Sequence, residues 1–151
     1  MEKIIGFTTG VWDLFHIGHL NILKNAKSMC DVLIVGVTSD ERTFREKGKW
    51  PVIPYEERVE ILKHISFVDE VVLHEHTDEF LHWPNLQFHR VFKGSDWQWS
   101  EKWTRLEKEF APLGVEVIFF PYTKTTSSTL IRGFLTDAFE KLRSDLPNEE
   151  R

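Results

Sequence analysis

The chain has 151 residues and a mass of 17.9 kDa, with 41% hydrophobic, 13% aromatic and 28% charged residues, a size and composition that fit one globular domain and exclude a disordered chain. Its net charge of −5, from 19 Lys and Arg against 24 Asp and Glu, excludes a non-specific nucleic-acid binder. No apolar run approaches the roughly 18 residues of a membrane span, and the single Cys30 excludes an internal disulfide or a cysteine zinc cluster.

The N-terminal stretch Met1–Ile5 lacks the apolar region of a signal peptide, so a cytoplasmic protein is expected, with neither nucleic acid nor membrane among its partners. Ile4–Phe7 predicts a first strand that stops at a loop, Thr8-Thr9-Gly10. A helix is expected from His16 to about Ser28, because Ile17, Leu20, Leu23 and Ala26 step by three. Asp31–Val37 is nearly all apolar, as in a strand buried on both faces, and completes a βαβ unit. Ser39 starts a short helix, Lys47–Pro51 is a loop, and Pro54 opens a helix through Arg58 to His64. Val68–Leu73 predicts a third strand and Glu79–Leu86 a helix. Arg90–Lys93 predicts a fourth strand, closed by Gly94. Trp103–Phe110 predicts a helix, Val115–Phe120 a fifth strand, and Ser127 or Ser128 caps a last helix through Leu135.

This alternation predicts an α/β fold: a Rossmann-like open five-stranded parallel sheet with helices on both faces. The domain is expected over 1–137, followed by a charged tail, 138–151, that contains Pro147 and frays. Ligands of such sheets bind beyond the carboxyl ends of the strands. Attention therefore falls on Thr8-Thr9-Gly10, Ser39-Asp40, His74-Glu75-His76, Gly94-Ser95-Asp96 and the stretch from Tyr122 to Ser128. His74 and His76, with His82 and His89 downstream, lack the spacing of a metal cluster, and no metal ligands are assigned.

Gly10-Val11-Trp12-Asp13-Leu14-Phe15-His16-Ile17-Gly18-His19 joins the first strand to the first helix. Two histidines three apart at a helix start share one side, and Gly18 between them keeps the backbone open to a ligand. The helix start adds unpaired N–H groups and partial positive charge, a combination suited to polyphosphate. A pair of surface histidines would read the same way.

Thr8–His19 resembles the HxGH signature of the nucleotidyltransferases. The similarity is closest to the small cytidylyltransferase branch typified by glycerol-3-phosphate cytidylyltransferase, and it runs from Ile4 to about Phe134. Tyr55–Arg58, Phe67–Val71, Lys93–Trp97 and Ser127–Thr129 carry it further along the chain. The resemblance implies transfer of a nucleotidyl group from CTP, with Mg²⁺, to an alcohol phosphate, giving a CDP-alcohol and pyrophosphate. It implies catalytic roles for His16, His19 and Lys47. It places the nucleotide at Thr8, Thr9, Gly10, Val11, Gly18, Gly94, Asp96, Thr123, Lys124, Ser127, Ser128 and Thr129. It assigns the acceptor to Asp13, Lys47, Lys49, Arg58 and Trp97, and it suggests a homodimer.

Two positions depart from that pattern: Ser66 and Tyr122 stand where the family carries phosphate-binding arginines. Lys93, Lys124 or Arg132 could supply the lost charge, with Lys124 the first choice. The departures leave room for an adenylyltransferase acting on a sugar or flavin phosphate, or for a nucleotide-binding regulator without turnover.

Overall fold

The computed structural model describes residues 2–75 and 78–145. Within these, strands Ile5–Gly10 (β1), Val32–Thr38 (β2), Glu70–His74 (β3), Arg90–Gly94 (β4) and Glu116–Phe120 (β5) form one sheet. All pairings are parallel, in the order β3-β2-β1-β4-β5. The chain steps outward from β1 to β3 and then returns to β4 on the other side of β1. The loops leaving β1 and β4 therefore diverge, and a crevice opens between them.

Six α-helices accompany the described strands: Ile17–Lys27 (α1), Asp40–Lys47 (α2), Tyr55–Lys63 (α3), Trp83–Leu86 (α4), Glu101–Phe110 (α5) and Ser128–Asp145 (α6). The two-residue period of β2 separates two apolar cores. Leu33, Val35 and Val37 meet Leu23 and Ala26 of α1 and Leu62 of α3 on one face. Ile34 joins Phe7, Val91, and Trp103, Leu106 and Phe110 of α5 on the other. Each of these large side chains contributes roughly 1.5–3 kcal/mol by leaving water. The open five-stranded parallel sheet with helices on both faces is as expected.

Boundaries shift where the ladder or a cap overrides local composition. Thr8-Thr9-Gly10, expected as loop, is strand, because pairing with β2 continues to Gly10 opposite Val37. Lys47, expected in a loop, is the last residue of α2, which ends on Gly48 at φ 70°. Glu79–Leu86 divides into a 3₁₀ turn, Glu79–His82, and the one-turn α4. The last helix continues to Asp145 instead of ending near Leu135, and it leaves Leu130, Phe134, Phe139 and Leu142 exposed. His76, Pro147 and the end of the expected tail lie outside the described residues. Among the described residues no helix is long and apolar enough to cross a membrane.

Candidate active site

The crevice has a volume of about 350 Å³ and is walled on one side by the starts of α1 and α6. The β1–α1 loop reaches it through two left-handed residues, Trp12 at φ 59° and Leu14 at φ 52°. Such conformations are costly for side chains of this size and persist only where packing holds them. Here the buried Trp12 indole N–H donates to the Gly36 carbonyl at 3.0 Å.

That loop delivers His16 to the N-cap of α1. His16 Nδ1 accepts from the Gly18 N–H at 3.0 Å, and His19 Nδ1 accepts from the His16 N–H at 3.3 Å. The two imidazoles thus form a reciprocal capping box and stack with ring centroids 3.9 Å apart. Both Nδ1 lone pairs are occupied, so each neutral ring carries its proton on Nε2. Burial lowers the His16 pKa. Burial, with the neighbouring His16 charge, pushes His19 down to about 3. The pair therefore stays neutral at pH 7 and offers N–H donors rather than positive charge. A Cβ at Gly18 would stand 2.8 Å from His16 Cε1, so glycine is needed there to let the ring close over the cap.

The start of α6 faces this pair. Ser127 Oγ accepts from the Leu130 N–H and Ser128 Oγ donates to the Asp13 carbonyl. The backbone N–H groups of the first helical turn have no partner within the helix and present positive potential to the cleft.

The cleft also holds charged side chains. Lys93 donates to the Thr9 carbonyl at 2.9 Å and lies 5.2 Å from the Trp97 ring centroid. Lys47 reaches the cleft from the end of α2, and dehydration with the nearby Arg132 charge lowers its pKa, although much of the residue is exposed. Glu79 is buried, accepts from Thr9 Oγ1 at 2.8 Å and lies 3.1 Å from the Lys102 ammonium. Burial pushes the Glu79 pKa up, but the His74 hydrogen bond and the charges of Lys93 and Lys102 outweigh it and hold the carboxyl well below its usual range.

Most of the expected residues converge. Thr8, Thr9, Gly10, Val11, Asp13, His16, Gly18, His19, Lys47, Gly94, Asp96, Trp97, Thr123, Ser127, Ser128 and Thr129 all line the cleft. Several are already engaged by the protein. The Thr8 hydroxyl donates to the Phe92 carbonyl and the Thr9 hydroxyl to Glu79, so neither is a free hydroxyl donor. Asp13, which the sequence offers either as a loop-orienting group or as a holder of acceptor hydroxyls, accepts from the Val52 and Ile53 N–H groups and from Arg132. It ties the loop before α3 to the start of α6.

Arg58, Lys49 and Lys124 do not line the cleft. Arg58 is 1% exposed and commits four of its five N–H donors to the carbonyls of Ile53, Val11 and Thr38 and to Asp40, so it is held inside the fold and away from an acceptor phosphate. Lys49 and Lys124 are exposed on the surface, and Arg132, rather than Lys124, enters the cleft. Sequence reading did not single out Arg42, Glu79 or Lys102 as site residues. Glu79 and Lys102 reach the cleft from the segment before α4 and from α5, far from any motif. Arg42, with its helical partner Glu46, looks like ordinary surface charge.

An open parallel sheet whose order reverses beside a crevice lined by two helix starts is the architecture of a nucleotide-binding α/β protein. The family profile described as cytidylyltransferase-like matches residues 7–134, and the chain belongs to this family of nucleotidyltransferases. It is 37% identical over 114 residues to a FAD synthase of Pyrococcus abyssi, covering 75% of this chain and 77% of that one. Matches to further archaeal FAD synthases span about half of each chain. It is 35% identical over 135 residues to the glycerol-3-phosphate cytidylyltransferase of Bacillus spizizenii, covering 87% of this chain and 95% of that one. Among solved structures, a lipopolysaccharide core biosynthesis protein of Thermoplasma volcanium superposes with a TM-score of 0.68 at 27% identity. That match covers 83% of this chain and 100% of the other.

Proposed function

We propose that the protein transfers a cytidylyl group from CTP to a small alcohol phosphate, with glycerol 3-phosphate the first acceptor to test. An oxygen of the acceptor phosphate attacks the α-phosphorus, a new P–O bond forms, and the bond to the bridging oxygen breaks as pyrophosphate leaves. A phosphate monoester is mostly dianionic at pH 7 and is already a nucleophile, so no general base is required. The difficulty is charge: two polyanions must meet in line while negative charge grows on the leaving oxygen.

The observation that carries this reading is the cap-locked histidine pair. With both Nδ1 atoms engaged, His16 and His19 offer Nε2–H donors to the transferring and leaving phosphates without reorganising. Lys47 and Arg132 add positive charge, and the start of α6 supports the triphosphate. The nucleotide is expected to enter as its Mg²⁺ complex, the ion supplying charge neutralisation for the phosphates.

The nearly end-to-end match to a glycerol-3-phosphate cytidylyltransferase favours CTP. A second reading, adenylyl transfer to a flavin or sugar phosphate, is favoured by the FAD synthase similarity. Pyrophosphate release across the four nucleoside triphosphates, each with glycerol 3-phosphate, FMN and sugar phosphates, separates the two. Nucleotide binding without pyrophosphate release under any pairing would leave a regulator and refute both. We also propose a homodimer, supported by the exposed Phe134, Phe139 and Leu142 of α6; a monomeric mass by light scattering at micromolar concentration would refute it.

A further inference from the structure

Four side-chain polar atoms among the described residues are buried without a hydrogen-bond partner: Arg42 Nη1, Glu79 Oε2, Arg132 Nε and Trp103 Nε1. Three of these four belong to side chains that line the cleft. Unsatisfied buried groups are costly, and their convergence on one cavity points to a ligand that completes them.

They come from different elements. Arg132 lies on α6, whose start is proposed above to support the triphosphate. Arg42 comes from α2 and Glu79 from the 3₁₀ turn before α4, and Thr43, His74, Lys93 and Lys102 line the same cleft. A reaction between two substrates needs a second subsite, and these side chains are the part of the lining not given to the triphosphate.

Glu79 is held in place from several sides. Thr9 Oγ1 donates to its Oε1, and His74 Nε2 approaches that oxygen at 3.5 Å. His74 Nδ1 is in turn hydrogen-bonded to His82 Nε2 at 2.8 Å. The Lys102 ammonium lies 3.1 Å from Oε2 and balances its charge, yet no hydrogen bond forms there. An ionised carboxylate oxygen of this kind accepts O–H or N–H and rejects a carbonyl or ether. Arg42, Lys93 and Lys102 around it disfavour an acceptor that brings an ammonium group of its own.

We propose that Glu79 reads a hydroxyl on the acceptor, so that the acceptor is a phosphorylated polyol chain rather than a simple alkyl or amino-alcohol phosphate. This rests on the two-substrate reading above. Glycerol 3-phosphate and the ribityl phosphate chain of FMN share this chemistry.

The test is isothermal titration of the intact protein with matched pairs. One arm sets glycerol 3-phosphate against n-propyl phosphate and phosphoethanolamine. The other sets FMN against a flavin carrying a phosphoalkyl chain without hydroxyls. In one arm the wild type should prefer the hydroxylated member by about 10- to 100-fold, the scale of a hydrogen bond to a charged group. The arm that responds identifies the source of the polyol. Glu79→Gln should reduce that preference to within about threefold while nucleotide Kd stays unchanged. Equal binding within both pairs by the wild type overturns the proposal, whether or not the variant folds. So does an undiminished preference in a folded Glu79→Gln protein. A Glu79-dependent preference with no pyrophosphate release from any acceptor would refute nucleotidyl transfer and leave this subsite standing. Transfer at equal rates to both members of every pair would do the reverse.

Discussion

Substitution at His16 separates a structural role from a chemical one. The imidazole has one observed role and one proposed: Nδ1 caps α1 through the Gly18 N–H, and Nε2–H is the proposed donor to the phosphates. His16→Ala removes both. Loss of an N-cap costs about 1 kcal/mol, or roughly 2–4 °C in Tm for a chain of this length. Loss of one preorganised donor to developing charge costs about 10²–10³-fold in kcat, equivalent to roughly 2.7–4 kcal/mol. His16→Asn divides the two effects. Asparagine is among the best N-cap residues, so its side-chain oxygen should keep the Gly18 bond and hold Tm within about 1 °C of wild type. Its amide stops short of the position of Nε2, so kcat should still fall by at least about 10²-fold. The assay is continuous pyrophosphate release at saturating substrates, with Tm from calorimetry on the same preparations. A kcat for His16→Asn within threefold of wild type would refute the donor role. Activity lost only in step with Tm across both variants would reduce His16 to a cap.

Neutralising Lys47 as Lys47→Met should lower kcat at least about tenfold with little change in Tm, since the residue lines the cleft; an unchanged kcat would return it to surface charge. Arg132→Ala should raise the nucleotide KM about tenfold, near 1.4 kcal/mol, whereas Lys124→Ala should leave it within about twofold; steady-state kinetics showing the opposite order would restore Lys124 to the site. Arg58→Met leaves three carbonyls and Asp40 without a guanidinium and should destabilise the fold by about 3–5 kcal/mol in urea unfolding. A normal midpoint with a raised acceptor KM would instead make Arg58 a substrate ligand. The His19 pKa of about 3 lies below the unfolded value near 6.5, so between these the unfolded chain binds more protons. Stability should be fully present above about pH 7 and decline as pH falls through 6 toward 3. His19→Gln, which keeps the capping box, should flatten that decline; an equally steep loss would exclude His19 as its source.

The alternation of apolar runs with amphipathic segments was enough to place five parallel strands and the helices between them, because burial on both faces demands near-continuous hydrophobicity. The histidine pair was legible for a related reason. His16, Gly18 and His19 meet through contacts within one helical turn, so their spacing alone brings the imidazoles together. Strand ends were not legible in this way. Thr8-Thr9-Gly10 has loop composition, and only the ladder to Val35, Gly36 and Val37 makes it strand. The roles of charged residues depended most on tertiary structure. Arg58 and Asp13 resemble ligand-binding groups in sequence, yet backbone carbonyls and N–H groups brought from distant segments engage them before any substrate arrives. Glu79 and Arg42 resemble surface charge, yet folding buries them and leaves one atom of each without a hydrogen-bond partner in the cleft. Residue type and spacing report which charges a chain carries. Which of those charges remain available to a ligand depends on desolvation and on partners tens of residues away, and both exist only once the sheet has formed.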